Sequence, residues 1–179
     1  PGEVDREILD AERRICEALN LGFVALWQWS DQAPGCFTLT HIHSAVEGVQ
    51  PPAGANSHEF FPWAEQQIRA GRIVALSSLD DLPEEAARDR DSCRSMGLKS
   101  NLTIPLSVGG QPVVGALGLN TVRTQREWPA PLVKRLQLVA EVFANALARK
   151  RADAALRESE ERLSLAADSA GAGLWTLDY

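Results

Sequence analysis

The chain contains no apolar run approaching the roughly 20 residues that a bilayer-spanning helix needs, so no membrane contact is expected of it. It is poor in cysteine: Cys16, Cys36 and Cys93 stand far apart, without the paired spacing that zinc binding or thiol–disulfide exchange requires. An odd number of cysteines without a secretory leader fits a reducing compartment and makes a cytoplasmic location the expectation. Clustered positive charge is also scarce. Lys and Arg number 18 against 24 acids, a formal net charge of −6. The one basic cluster, Arg149-Lys150-Arg151, is followed at once by acids and reads as a solvated helix face. Nucleic acid is therefore not an expected partner, because phosphate neutralisation needs clustered cations. There is no initiator Met, and a helical pattern starts at Glu3, which reads as a piece of a longer protein whose other parts could include a membrane anchor.

An apolar share of 45% supports a real core, and 179 residues give room for one ordinary domain plus an appendage. Val4, Ile8, Ala11, Ile15 and Leu19 recur at helical spacing and predict a helix over Glu3 to Leu19. The period then changes. Phe23 to Trp29 is β-rich, Pro34-Gly35 signals a turn, and Cys36 to His43 alternates again, which predicts a hairpin. A loop from Glu47 to Asn56 precedes a short helix opening at Phe61-Pro62-Trp63 and closing at Gly71. Arg72 to Leu76 reads as a strand, and Pro83 as the first turn of a helix running to about Met96. Asn101 to Val108 and Val113 to Leu119 flank Gly109-Gly110 as an antiparallel hairpin. From Pro131 to about Ser169 the helical period scarcely pauses; Gly171-Ala172-Gly173 predicts a break, and Leu174 to Tyr179 the start of a strand. Hairpin strands with helices around them predict an α+β fold, a central antiparallel sheet covered on both faces.

The long helix has two parts. Leu132, Leu136, Val139, Phe143 and Leu147 are apolar enough to pack on a sheet. Ala152, Leu156, Ser159, Leu163 and Ala166 then keep a 4-3-4-3 spacing amid charges, the narrow seam of a short parallel coiled coil. A homodimer is expected, with Leu156 and Leu163 making the contact and passing the signal.

The order of elements, the run Gly97-Leu98-Lys99-Ser100-Asn101-Leu102-Thr103-Ile104-Pro105-Leu106 and the hairpin around Gly109-Gly110 together resemble a GAF domain, over Glu3 to Arg149. The tail Leu156-Arg157-Glu158-Ser159-Glu160-Glu161-Arg162-Leu163, with Ala167 to Trp175 behind it, is similar to the linker and opening of a PAS domain. The expected division is a GAF-like domain over 3–149, a coiled-coil-like helical linker over 150–169 and a truncated PAS start over 170–179. GAF followed by PAS resembles the sensory half of bacterial two-component sensor histidine kinases. The resemblance implies terminal helices on one sheet face, short helices and loops over the other, and a pocket beneath the latter. It also implies downstream PAS and kinase domains in the same chain, and a response regulator as the partner in a phosphorelay. These residues hold no phosphoacceptor His box, no Asn-containing ATP lid and no Gly-rich phosphate loop, so the fragment is expected to sense rather than catalyse.

Ligand candidates follow from the strands. Leu102, Ile104, Leu106 and Val108 form an aliphatic face, assigned to the terminal helices; Asn101, Thr103, Pro105 and Ser107 face the other way and are too polar for a dry core. Asn101 and Thr103 are the candidate polar contacts to a small molecule, with Trp27, Trp29, Phe60, Phe61 and Trp63 as candidate walls. Alternatively these aromatics are plain core, Asn101 and Thr103 bond to backbone, and the domain is a structural dimerisation module. The ligand itself is left unknown, but a bilin and haem are not expected. Cys93 lies in the helix before the hairpin, yet its neighbour is Arg94, where bilin-attaching relatives commonly have His, and a structural thiol is the simpler role. A redox sensor at Cys93 is a lesser alternative. His41 and His43 share a strand face and His58 follows, but no third ligand is fixed, so no metal is expected.

Overall fold

The apolar period breaks at Asn20, and the first helix ends there. The computed structural model describes residues 2–29, 35–48, 50–52 and 54–174, with side chains as far as 167. In it α1 spans Glu3–Leu19 and Asn20 closes it in the left-handed conformation, φ 50°. Then come β1 (Phe23–Trp29), β2 (Phe37–Ser44), α2 (Ser57–Phe60), α3 (Pro62–Arg69) and β3 (Val74–Leu76). Two 3-10 turns, Leu79–Asp81 and Glu84–Ala86, lead into α4 (Ala87–Ser95), followed by β4 (Ser100–Leu106), β5 (Gly115–Thr121) and α5 (Ala130–Leu174).

The strands form one five-stranded sheet in the order β2-β1-β5-β4-β3, antiparallel at every pairing. The α+β architecture with a long C-terminal helix is the one predicted. Between β1 and β2 the register shifts: Leu26 faces His41 while Trp27 faces Leu39, which leaves Thr40 as a bulge. The bulge is satisfied locally, since the Thr40 hydroxyl donates to the Leu26 carbonyl (3.2 Å) and accepts from the Gln28 amide (2.6 Å).

Alternation sorts the sheet into two faces. On one, Val24, Leu26, Leu102, Ile104, Leu106, Leu117 and Leu119 are all essentially inaccessible. Each such side chain contributes roughly 2 kcal/mol by leaving water. The flanking helices supply further buried residues: Ile8, Glu12 and Cys16 from α1, which packs on β1 and β2, and Leu136, Ala140, Phe143 and Ala144 from α5. The other face carries Phe23, Ala25, Trp27, Phe37, Leu39, Val74, Leu76 and Ala116, buried in one cluster with Leu82, Ala86, Cys93, Met96 and Leu98.

Several boundaries differ from expectation. The hairpin strands are shorter: Val108 and Val113 fall in a wide loop, because the Val114 N–H already closes the ladder on the Leu106 carbonyl (2.8 Å) and Pro112 has no N–H to extend it. Gly109 and Gly110 both take positive φ (56° and 75°) at its tip. The expected helix from Pro83 begins as a 3-10 turn and becomes α-helical only at Ala87. The one-turn α2 stands at the end of the expected loop, nucleated by Asn56, whose side chain accepts from the Glu59 N–H (2.8 Å).

Chain contacts divide at 144/145. Before the division, Leu136 and Phe143 are buried and Leu132 and Val139 half-buried. After it, Leu147 is buried and every side chain from 148 to 167 is exposed, with Leu156 at 59% and Leu163 at 68%. The expected break at Gly171-Ala172-Gly173 is corrected: α5 continues through it to Leu174. Glycine in a helix costs only about 1 kcal/mol relative to alanine, and no proline forces a stop. The expected strand residues Trp175 to Tyr179 lie outside the described residues.

Candidate functional site

The floor of the site is the polar side of β4 and β5. Pairing sets Asn101 opposite Asn120 and Thr103 opposite Gly118. The Thr103 hydroxyl donates to the Asn101 Oδ1 (2.9 Å), and the Asn101 Nδ2 donates to the Asn120 Oδ1 (2.8 Å). This oriented chain gives three polar side chains partners on a mostly apolar sheet face. Gly118 keeps the floor low beside it. A Cβ there would meet only ordinary contacts, 3.6 Å from the Asn120 Nδ2 and 3.9 Å from the Thr103 Oγ1.

Over this floor lies a cavity, partly open to solvent, with about 70 Å³ of room for the centres of water-sized molecules. Trp27 and Phe61 stand edge to face in its wall, centroids 5.9 Å apart at 89°. Phe23 and Phe37 extend the wall, and Ile68, Val74, Leu76 and Leu98 complete its apolar part.

The roof carries two buried acids. Asp89 of α4 reaches across to α3, where its Oδ1 accepts from the Trp63 N–H (3.0 Å) and its Oδ2 from the Ala64 N–H (2.9 Å). It thereby caps α3, whose own Phe61 has no side-chain oxygen to do so. Burial pushes the Asp89 pKa up; the two peptide N–H groups oppose this by holding the charged form. Glu65 of α3 accepts from the Ser57 hydroxyl (2.6 Å) and pairs with Arg69 Nε (3.1 Å), while the Ser57 Oγ accepts in turn from the Phe37 N–H (2.9 Å). Cys93 also lines the roof. Burial, and secondarily the Asp89 charge, push its thiol up to about 12, so it is neither ionised nor nucleophilic near neutral pH.

The cavity thus brings together four of the residues singled out from sequence: Trp27, Phe61, Asn101 and Thr103. Trp29 and Trp63, expected in the lining, lie outside it. Trp29 shares the face of Trp27 but ends the strand, 38% exposed, set edge to face on Phe37 with the Arg69 guanidinium 4.9 Å over its ring. Trp63 and Phe60 are partly buried against the core. Asn101 and Thr103 bond to side chains, not to backbone as the alternative held. Sequence reasoning missed Asn120, Gly118, Glu65 and Asp89. Only Asn120 had a signal, its place in the alternation of β5 opposite Asn101.

The histidines point elsewhere. His41 and His43 pair with Leu26 and Val24, on the α1 side of the sheet, and His41 Nε2 meets Asp5 Oδ1 at 3.0 Å. Among the described residues no group of three or more His, Cys, Asp or Glu side chains converges as a metal site. Nor is any described helix long and apolar enough to cross a membrane.

A central antiparallel sheet, with a largely apolar cavity held between one of its faces and short middle helices, defines the class of α+β domain to which the chain belongs. The model of the GAF domain matches residues 9–149, and the chain belongs to the GAF domain family. No curated protein matches the sequence. Among solved structures, a domain described as part of a two-component sensor histidine kinase from Sinorhizobium meliloti 1021 superposes with a TM-score of 0.68 at 16% identity, over 88% of this chain and 99% of that one. The blue-light-absorbing form of the PixJ GAF domain of Thermosynechococcus elongatus gives 0.66 at 16% identity, over 89% and 94%. A far-red-absorbing dark state with bound biliverdin IXa gives 0.67 at 11% identity, over 83% and 92%.

These neighbours correct one expectation. The sequence led us to set bilins aside because Cys93 lacks a neighbouring His, but the fold recurs in several cyanobacteriochrome domains, one of them with biliverdin bound. The missing dipeptide bears on one mode of covalent attachment, whereas the fold that surrounds a chromophore is shared.

Proposed function

We propose that this GAF domain binds a small molecule in the cavity between the sheet and α3 and α4, and that binding is relayed along α5 to an output module. The observation that carries this is the cavity itself: a packed structural module has no use for a void floored by three hydrogen-bonded polar side chains and roofed by two buried acids. A ligand shifts a signalling equilibrium only if it binds two states unequally, and a cavity bounded by separate short helices allows that.

The parent is taken to be a protein-histidine kinase of a two-component system. The likeness to a domain from such a protein supports this, as does the tail's resemblance to a PAS opening. Residues 3–149 then form the sensor, 150–169 the linker and 170–179 the start of a PAS domain, with kinase domains beyond and a response regulator as partner. The exposed Leu156 and Leu163 make a second copy of α5 the natural occupant of the linker seam. Cys16, Cys36 and Cys93 are all buried and no two of them are bridged among the described residues, which supports a cytoplasmic location.

A thermal-shift screen of small metabolites tests the proposal. A true ligand at about 100 times its Kd stabilises by about 2.7 kcal/mol, which for a domain of this size raises Tm by about 5–10 °C. Gly118→Val, which fills the floor, is expected to abolish the shift while leaving a cooperative melt. A panel that shifts neither protein would favour the structural dimerisation module.

A further inference from the structure

We infer that the cavity selects a small protonated amine with an apolar body and rejects an anion of the same shape. The inference rests on the proposal that the cavity binds a ligand, and it names the ligand's chemistry.

Charge is the first ground. Among the described residues the only ionisable oxygen acids in the lining are Glu65 and Asp89, and no Lys, Arg or His lines the cavity. None of residues 30–34, 49 and 53 is a Lys, Arg or His either. Arg69 is committed elsewhere: it bonds the Glu65 Oε1, lies over the Trp29 ring and is 39% exposed. Glu65 thus has its counter-charge in Arg69, whereas Asp89 meets only peptide N–H groups, so an anionic ligand would enter a desolvated space beside the Asp89 carboxyl with no cation among the described lining residues to meet it.

Acceptor capacity is the second. Each Asp89 oxygen accepts one N–H from the start of α3. A carboxylate can accept about four, so lone pairs remain for donors supplied from the cavity. An ammonium group offers three such donors together with the charge that a buried carboxylate lacks.

The aromatic wall is the third. Trp27 and Phe61 touch edge to face, centroids 5.9 Å apart, and both line the cavity, so the π surface that this contact leaves uncovered borders the space, and a cation over a ring face is attracted by its quadrupole. The apolar remainder of the wall takes the hydrocarbon body, and the neutral amides of Asn101 and Asn120 are left to read a polar substituent.

Three probes with one ring and one chain length isolate the charge: phenethylamine, 2-phenylethanol and phenylacetate, titrated by calorimetry into the full chain at pH 7. The amine is expected to bind at least tenfold more tightly than the alcohol, and the acid not detectably. Asp89→Asn should lose most of that preference, and Glu65→Gln, whose charge Arg69 already meets, should lose less of it. Because Asp89 also caps α3, the ranking of the three probes on the parent chain carries the test where Asp89→Asn does not fold. Equal binding of all three probes, lost in Gly118→Val, would overturn the charge selection and leave the cavity proposal standing. Binding of none, while a metabolite from the thermal-shift screen binds the parent chain and not Gly118→Val, would overturn the amine class alone. Binding of none together with an empty screen would overturn both.

Discussion

Replacing Glu12 with glutamine is expected to remove a stability loss of about 4 kcal/mol that the parent chain shows between mildly acidic and mildly alkaline conditions, leaving the part that the raised pKa of Asp89 contributes. Ile8, Glu12 and Cys16 lie one turn apart on the buried face of α1, and all three are inaccessible to water. Neither Glu12 oxygen has a hydrogen-bond partner among the described residues. Desolvation alone pushes its pKa from 4.5 to about 8, with no cation near enough to offset it. The sign follows from linkage. The proton is held more tightly in the folded state, so this contribution is fully present below about pH 4.5 and is lost as pH rises through about 8. At about 1.4 kcal/mol per pH unit the interval sets a ceiling near 5 kcal/mol, which relaxation of the helix lowers. Denaturant titrations at about pH 5, 7 and 9 measure it. At the lowest pH Glu12→Gln and the parent should agree to within about 1 kcal/mol, and at the highest the variant should be the more stable by several. A parent curve flat over that range would mean that the carboxyl is solvated or paired in solution.

The second large effect is at Gly115. It opens β5 opposite Gln28, and a Cβ built there would press into the backbone carbonyl of Trp27, with the Leu106 side chain at 3.4 Å on another side. A carbonyl in a sheet ladder cannot swing aside as a flexible side chain can, so β1 or β5 must shift. Gly115→Ala is expected to cost about 3 kcal/mol, at the upper end of what overpacking does. Because Trp27 also lines the cavity, any ligand-induced Tm shift should shrink with it. Gly118, three residues along the same strand, is the internal control: Ala there meets nothing nearer than 3.6 Å and should cost less than about 1 kcal/mol. Similar losses at both positions would mean that strand propensity, not the carbonyl contact, sets the cost at Gly115.

What could be read beforehand divides along physical lines. The bounds of α1 and β1 were legible because each is fixed by its own apolar period and a nearby stop, Asn20 or the residues after Trp29. The aliphatic side of β4 was legible for the same reason, as was the odd polarity of Asn101 and Thr103 on the other. Charged residues misled. Glu12 sits within the apolar stripe of α1 but reads as surface by type, and nothing local says that the sheet will bury it. Asp89 likewise looks like a solvated helix residue, since its role depends on α3 and α4 meeting across about 25 positions of sequence, a distance that pattern reasoning does not span, and Glu65 is buried on its partners Ser57 and Arg69 only once α2 and α3 are folded. Trp29 and Trp63 were drawn toward the cavity by their size, whereas lining depends on where a strand ends and which way a short helix turns. The Gly171-Ala172-Gly173 break failed because glycine weakens a helix without being able to end one by itself.

The central claim is that the cavity is a ligand site in this GAF domain, and native mass spectrometry of the gently purified full chain tests it most directly. The account predicts a reproducible non-protein mass on the parent chain, absent from Gly118→Val, on a species of twice the chain mass if the α5 seam pairs two copies. Bare protein for both the parent and the variant, after purification without added ligand and again after incubation with the compounds that shift Tm, would contradict it.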